Sequence, residues 1–377
     1  MGFTSMDNFI NAVTVNGQFN RSDWNKNALP TTAQVAGEWY SLWQGAGSVP
    51  AGVFTGGTNL SFQTLTDQST GAFPTGGIVS PATKHILNAN AFSAGATTMP
   101  AVLMLVDMLG FYSNVSVTLT TAQACTNTVV FTATSANPTV LTTTGYDIAT
   151  YSAVTLSNSG GALPSGLTAS TTYYTVRQSA STSQLSTSLA NAIANNTISA
   201  TSTGSGTNTL TVNLPRYASG AGIQCFMTPS TVMGAATPNL SIGYINSSGT
   251  SGRTTPAVLP VGKTASPVGH ISYSGVAAAG KYGPFMPLQG GDAGINMITT
   301  VTESISYVSG VMTYVLCKPL LTLPMTTVGV AAERDLMSQL PSLPRIYDGA
   351  CLSFLLFAGA ATPTSSAFYG SLDFGWA

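Results

Sequence analysis

Glycine and proline recur so closely along this chain that almost no stretch leaves room for three uninterrupted turns of helix. The 377 residues hold 39 glycines and 20 prolines. Between Pro30 and Gly57 alone stand Gly37, Gly45, Gly47, Pro50, Gly52 and Gly56. Relative to alanine, a glycine costs a helix interior about 1 kcal/mol and a proline about 3 kcal/mol. Strand-length segments between turns are what such punctuation permits. The sequence therefore predicts an all-β protein with few short helices. One helix is expected over Ser5–Val13, capped by Ser5 or Asp7. A second is expected over Ala331–Leu340 (AAERDLMSQL), stopping before Pro341.

The predicted strands follow from apolar or alternating runs. Met99–Tyr112 (MPAVLMLVDMLGFY) is apolar with a single acid and reads as a buried strand or strand pair. Shorter runs are Ile223–Met227, Leu240–Ile245, His270–Val276, Met297–Val301, Met312–Cys317, Cys351–Phe357 and Phe368–Phe374. Between Ala124 and Asn213 serine and threonine dominate, and only Asp147 and Arg177 carry charge. In VVFTATSANPTVLTTT, Val129, Phe131 and Ala133 alternate with Val130, Thr132 and Thr134. Turn signals follow at Asn137-Pro138, Gly145, Ser159-Gly160-Gly161, Pro164-Ser165-Gly166 and Gly204-Ser205-Gly206. This pattern predicts a small antiparallel β-sandwich over 124–213. It interrupts a β-sandwich or jelly-roll-like host domain made of 1–123, which includes an N-terminal arm, and 214–377.

Charge limits the function. Only 6% of residues are charged, 11 basic and 12 acidic, against about 25% in an ordinary soluble domain. Little charge is available to oppose self-association. A surface of Ser, Thr, Gly, Asn and Ala strands few charges when covered, so it is cheap to desolvate. The basic residues are scattered, as with Arg216, Arg253 and Lys263, so no nucleic acid partner is expected. No apolar run reaches the roughly 18 residues of a membrane helix. Ala101–Met108 is broken by Asp107 and Cys351–Ala361 is too short, so no membrane partner is expected. MGFTSMDNF lacks the basic and apolar regions of a signal peptide. Met6 stands where a myristoylation signal needs Ser or Thr. Synthesis in the cytosol is the expectation. Cys125, Cys225, Cys317 and Cys351 contain no CxxC pair, and Cys317 and Cys351 read as buried free thiols.

Catalytic patterns are not apparent. His85 and His270 are the only histidines, and neither a GxSxG elbow nor a phosphate loop is present. Gly204-Ser205-Gly206 and Gly220-Ala221-Gly222 lack the third glycine of a dinucleotide loop and read as turns. Asp292 in QGGDAGI is expected to brace a turn rather than bind Ca²⁺. No catalytic residue, metal or cofactor is expected. The candidates for function are interface residues: Trp24, Trp39, Trp43 and Trp376, with the charge cluster Glu333, Arg334 and Asp335 on the predicted helix. Trp39 and Trp43, four apart in GEWYSLWQGAG, read as an anchor against the core or a neighbouring subunit. A sugar-binding aromatic platform is the alternative.

Several segments resemble phage virion proteins. Gly160–Leu167 (GGALPSGL), Ser170–Val176 (STTYYTV) and Gln184–Ser186 (QLS) resemble a small Ig-like β-domain that recurs in tailed-phage virion proteins. That module occurs on capsids, tails and fibres. The host segments Thr83–Ala89, Leu103–Tyr112, Leu214–Gln224, Gly252–Pro256, Tyr282–Ile295 and Glu333–Leu352 resemble a family of phage structural proteins. The resemblance implies a virion component assembled in the host cytoplasm. A capsid-bound decoration, cement or minor capsid protein is expected, homo-oligomeric and by analogy trimeric, docked on the major capsid protein. Two alternatives stand beside it. One is a tail or fibre component touching host-surface glycans through the inserted domain, and the other is a jelly-roll coat protein.

Overall fold

A chain punctuated this densely folds into strands. The computed structural model of the protein describes residues 3–29, 35–54, 60–94, 99–256, 266–271, 283–337, 343–361 and 366–377. A short helix, α1 (Met6–Ile10), opens the fold; the Asn8 amide donates to the Ser5 hydroxyl at 3.1 Å, the cap expected from sequence. A π-helical turn covers Asn11–Val15. Then come β1 (Phe19–Lys26), β2 (Glu38–Ser41), β3 (Phe62–Thr64), β4 (Lys84–Ala94), β5 (Ala101–Ser116) and β6 (Gln123–Ala124). The Ser/Thr-rich segment supplies β7 (Thr128–Ala133), β8 (Leu141–Thr143), β9 (Ala153–Ser159), β10 (Thr172–Ser179), β11 (Thr182–Ser186), the short helix α2 (Leu189–Ile193) and β12 (Thr207–Val212). The remainder gives β13 (Gln224–Thr231), β14 (Leu240–Asn246), β15 (Arg253–Thr254), β16 (Ile295–Glu303), β17 (Val311–Met325), β18 (Ala332–Asp335), β19 (Arg345–Ile346), β20 (Leu352–Ala358) and β21 (Ala367–Trp376).

The fold is all-β and sandwich-like. Its central sheet runs β13-β17-β5-β20-β2, with β3 also paired to β5. Strand β5 carries the apolar run MPAVLMLVDMLGFY as one strand and pairs with β17 from Ala101↔Met325 to Ser116↔Val311. Every residue from Leu105 to Ser113 is buried, so the run does not alternate. Toward one side, Leu103, Leu105, Phe354 and Leu356 pack on Trp24, Ile86, Ala89, Leu372 and Phe374 of the sheet β1-β21-β4-β18. Toward the other, Val106, Met108, Val315 and Leu355 meet Trp43, Phe54, Phe226 and Ile271. A third sheet, β15-β14-β16-β6, lays Ile242, Tyr244 and Ile298 against Leu109, Tyr112 and Tyr314.

The Ser/Thr-rich segment forms a sheet of its own that closes on itself in the order β10-β11-β8-β7-β12-β9. Phe131, Leu141, Leu156, Tyr173, Leu185 and Leu210 fill it. Phe131 points inward while Val130 and Thr132 are exposed, the alternation expected from VVFTATS. Its two charged residues pair with each other: Arg177 Nε and Nη2 donate to the Asp147 carboxylate at 2.6 and 2.9 Å. The module is also stitched to the host. The Tyr146 hydroxyl donates to the Phe62 carbonyl at 2.9 Å, and the hydroxyls of Thr64 and Ser152 meet at 2.6 Å. One continuous apolar cluster runs from Phe62 and Tyr112 of the host into Val154 and Val212 of the barrel.

One predicted element is corrected. Ala332–Asp335, expected within a helix over Ala331–Leu340, is strand β18, paired with β4 from Ala332↔Ala91 to Asp335↔Asn88. Residues 338–340 lie outside the described residues, as do 272–276 of the run His270–Val276. AERD has good local helix propensity but no apolar stripe to bury as a helix. Pairing to the edge of β4 satisfies its backbone, and tertiary context overrides a weak local preference.

Three of the scattered cations, Lys26, Lys84 and Arg216, are internal. Arg216 uses all five of its guanidinium donors, the full complement of the side chain. Nε and Nη2 donate to the Asp107 carboxylate at 2.9 and 2.7 Å, and Nη2 also donates to the Met108 carbonyl at 2.9 Å. Nη1 donates to the carbonyls of Leu65 and Gly349 at 3.2 and 2.8 Å. Asp107 Oδ1 accepts the Cys351 amide as well, at 3.0 Å. Lys26 and Lys84, both buried, hold loops by donating to carbonyls: Lys26 to Gly45 and Pro50, Lys84 to Thr75 and Gly77. Burial pulls Lys26 down to about 8, so it keeps its proton at neutral pH.

Removing one partner of a buried, hydrogen-bonded ion pair costs about 3–5 kcal/mol. Arg216→Met is therefore expected to lower unfolding stability by that order, measured by chemical denaturation. Arg216→Met with Asp107→Leu should cost less than the sum of the two single changes. A single-variant loss below about 1 kcal/mol would contradict the role assigned to the pair.

Candidate functional site

The interface candidates divide by burial. Trp24 and Trp43 belong to the chain's own core. Trp24 stacks on Phe73 with ring centroids 5.2 Å apart, and Trp43, 1% exposed, lies 6.0 Å from Phe54. Trp39 is half-buried against Phe357 and packs on the same apolar cluster that holds Trp43, so the pair anchors β2 to the core, with Trp43 fully enclosed. Trp376 is half-buried at the end of β21.

Glu333 and Asp335 share the outer face of the sheet β1-β21-β4-β18, and Arg334 points the other way, half-buried. Register sets Arg21, Asp373, Asn88 and Asp335 in one row across the four strands. The adjacent row is Asp23, Ser371, Asn90 and Glu333. Asn88 donates to Glu333 Oε1 at 3.0 Å and Arg21 donates to Asp23 at 3.1 Å. Burial holds the Asp373 carboxyl above its ordinary range. Among the described residues no group of His, Cys, Asp or Glu is arranged to hold a metal.

Two constellations have the residue types of chemistry. His270 lies between Glu38 (Nε2 to Oε2, 3.3 Å) and the Ser266 hydroxyl (Nδ1 to Oγ, 3.2 Å), and Tyr40 donates to Glu38 at 2.8 Å. All four side chains are buried, so a substrate has no access to them as they stand. They brace β2 against residues 266–271, where the backbone also pairs Tyr40 with His270. In the second, Asp292 accepts from Tyr244 at 2.6 Å, Asn246 at 2.7 Å and Arg253 at 2.9 Å. These bonds hold its carboxyl down at about 2, Arg253 contributing most, and fix it as a brace for the 289–292 turn. The glycines of Gly204-Ser205-Gly206 and Gly220-Ala221-Gly222 all have positive φ, the turn conformation expected of them.

The surface feature that sequence reasoning missed is an apolar loop end. The loop after β16 is tied to two others: the Tyr307 amide donates to the Val117 carbonyl at 2.8 Å, and the Gly234 amide to the Ser309 carbonyl at 2.9 Å. These loops carry Leu119, Val232, Ile305 and Val308 outward, each exposed by 48% or more. Val308 is 74% exposed and has φ +70°, a region β-branched residues rarely enter. Its signal in sequence was slight, a valine ahead of Ser-Gly in a turn. Beneath the loop, Glu303 is fully buried and neither carboxyl oxygen has a hydrogen-bond partner. Burial pushes its carboxyl from the ordinary 4.5 to about 8.

The neutral form of Glu303 is therefore the folded one at pH 7. Between pH 4.5 and 8 the folded chain keeps a proton that the unfolded chain has released, so stability falls as pH rises through that window. At about 1.4 kcal/mol per unit, the loss amounts to a few kcal/mol. Glu303→Gln should match the wild type near pH 5 and become the more stable of the two by pH 9. Parallel stability curves over that range would show that the carboxyl does not titrate in this way. No protein-family model matches the chain, and no curated protein matches it.

Proposed function

We propose that this chain is a structural component of a tailed-phage virion, a capsid-bound decoration, cement or minor capsid protein that stabilises the head through homo-oligomeric interfaces. The observation that carries the reading is where the few charges sit. Arg216–Asp107, Arg253–Asp292 and Arg177–Asp147 are ion pairs within the chain, and Lys26 and Lys84 are buried on carbonyls. Among the described residues the exposed charges are few, namely Asp7, Arg21, Asp23, Arg177, Glu333, Asp335 and Arg345. Covering such a surface in an assembly desolvates few charges, and obligate interfaces are of this apolar kind. The phage setting is supported by the resembling segments, which lie in both the host fold and the barrel.

The loop end of Leu119, Val232, Ile305 and Val308 is the self-contact this reading favours. Backbone strain at an exposed position costs about 1–3 kcal/mol and persists where it has a use. Val308→Asn, which tolerates positive φ, should raise monomer stability by about 1 kcal/mol and weaken self-association in sedimentation velocity. Ile305→Asp should weaken association more strongly. An unchanged oligomer in both would remove this surface from the interface. On the virion, averaged particle images should place hundreds of copies on the head; a handful per particle, or a position on the tail, would overturn the capsid reading.

A further inference from the structure

The seam between barrel and host contains a groove whose chemistry differs from the rest of the surface. One cavity of about 330 Å³ lies between β9, β10 and β12 of the barrel and β3, β5 and β16 of the host. A second, of about 550 Å³, lies on the far side of the start of β10. The two share Thr172 and Tyr174, so this short piece of β10 forms a ridge between them. Clefts between structural units in this volume range are the usual places for small-ligand sites.

The first cavity is lined by neutral groups. Three asparagines face it, and each side-chain amide nitrogen is anchored by the protein. Asn127 donates to the Val212 carbonyl at 3.0 Å, Asn213 to the Thr155 hydroxyl at 3.2 Å, and Asn296 to the Ala218 carbonyl at 2.8 Å. Anchoring the nitrogens fixes the amides and leaves their carbonyl oxygens available as acceptors. Thr172 and Tyr174 add hydroxyls, and Phe62 and Tyr174 add ring surface. Among the described residues no carboxylate or cation lines this cavity. At the end of the second cavity, Asp348 is already engaged by the amides of Val79 and Ser80, each at 3.0 Å.

Two classes of ligand fit poorly. A cation would find no free carboxylate. A peptide adding as a strand would find little edge: β10 is paired with β9 through Thr172–Tyr174 and with β11 from Tyr174 onward, which leaves only Thr172 and Tyr173 open on the β11 side. A pyranose ring complements these groups: its hydroxyls can donate to the asparagine oxygens and exchange hydrogen bonds with the hydroxyls of Thr172 and Tyr174, and its C–H face can meet an aromatic ring. Two cavities joined at one tyrosine suit a chain of such rings better than a single one.

The geometry points to a binding site for a neutral oligosaccharide along the barrel–host seam, with Tyr174 as the stacking residue and Asn127, Asn213 and Asn296 as hydrogen-bond acceptors. The site stands apart from the capsid reading, since a head location without saccharide binding would leave that reading intact.

Saturation-transfer NMR on the full chain tests it. The probes are maltohexaose, cellohexaose, mannohexaose and tetra-N-acetylchitotetraose, with an oligogalacturonate as the charged control. Transfer to at least one neutral probe and none to the control is the expected result. Tyr174→Ala should weaken that binding at least tenfold. Thr172→Trp, at an exposed position shared by both cavities, should block it without disturbing the core, which an unchanged melting temperature would verify. Trp39→Ala, outside the groove, should bind as the wild type does. No transfer to any neutral probe, transfer to the charged control alone, or binding that survives both Tyr174→Ala and Thr172→Trp would overturn the assignment.

Discussion

The ion pair of Arg216 with Asp107 is the constraint on which the rest of the fold depends. Asp107 sits in the middle of β5, the longest strand, where both faces of the sheet are covered. A lone carboxylate there would be far too costly to bury. Arg216 resolves this and, with its remaining donors, gathers three further places on the chain: Leu65 after β3, Met108 on β5, and Gly349 before β20. Arg216 stands four residues beyond the end of the barrel, so the segment that re-enters the host is locked to the central sheet as soon as it returns. Replacing the pair by apolar residues of similar volume could preserve packing, but the convergence of separate loops on one guanidinium would be lost.

The other internal charges work in the same way. Arg253 and Asp292 fix the approach to β16, Lys84 holds the 75–77 turn, and Asp348 holds the 79–80 turn. Each case trades a loop's backbone freedom for bonds to a buried or half-buried ionic group. In a protein so rich in turns such ties add to the apolar anchors of its loops, Trp43, Phe54, Phe73 and Tyr307 among them. The buried ionic groups Lys26, Lys84, Asp107 and Arg216 therefore serve to hold the fold together.

The strand-rich class was legible because it rests on local features: glycine and proline spacing, and alternation such as Val129, Phe131 and Ala133 in β7. So was the short capped helix at Ser5. Ala332–Asp335 was misread because AERD is locally helix-favouring, and the decisive partner, β4, is about 240 residues away in sequence. The charged pairs were half legible. An acid alone in MPAVLMLVDMLGFY demands a partner, but nothing local says that the partner is Arg216, 109 residues on. The apolar loop end and the seam groove had no such signal, because each is assembled from residues distant in sequence.

The barrel's attachment bears on how such a surface is displayed. A module joined only by flexible linkers would sample many orientations, and any ligand would meet it at an entropic cost. Here the two chain crossings at residues 124–128 and 212–216 are supplemented by Tyr146 on the Phe62 carbonyl, by Thr64 with Ser152, and by an apolar cluster that continues from host to barrel. Reorienting the barrel would expose Phe62, Tyr112, Val154 and Val212 to water, at about 25 cal/mol for each Å² uncovered. Hydrogen bonds and a shared core thus join barrel and host in addition to the two chain crossings, so opening their seam carries the cost of the apolar surface it would uncover.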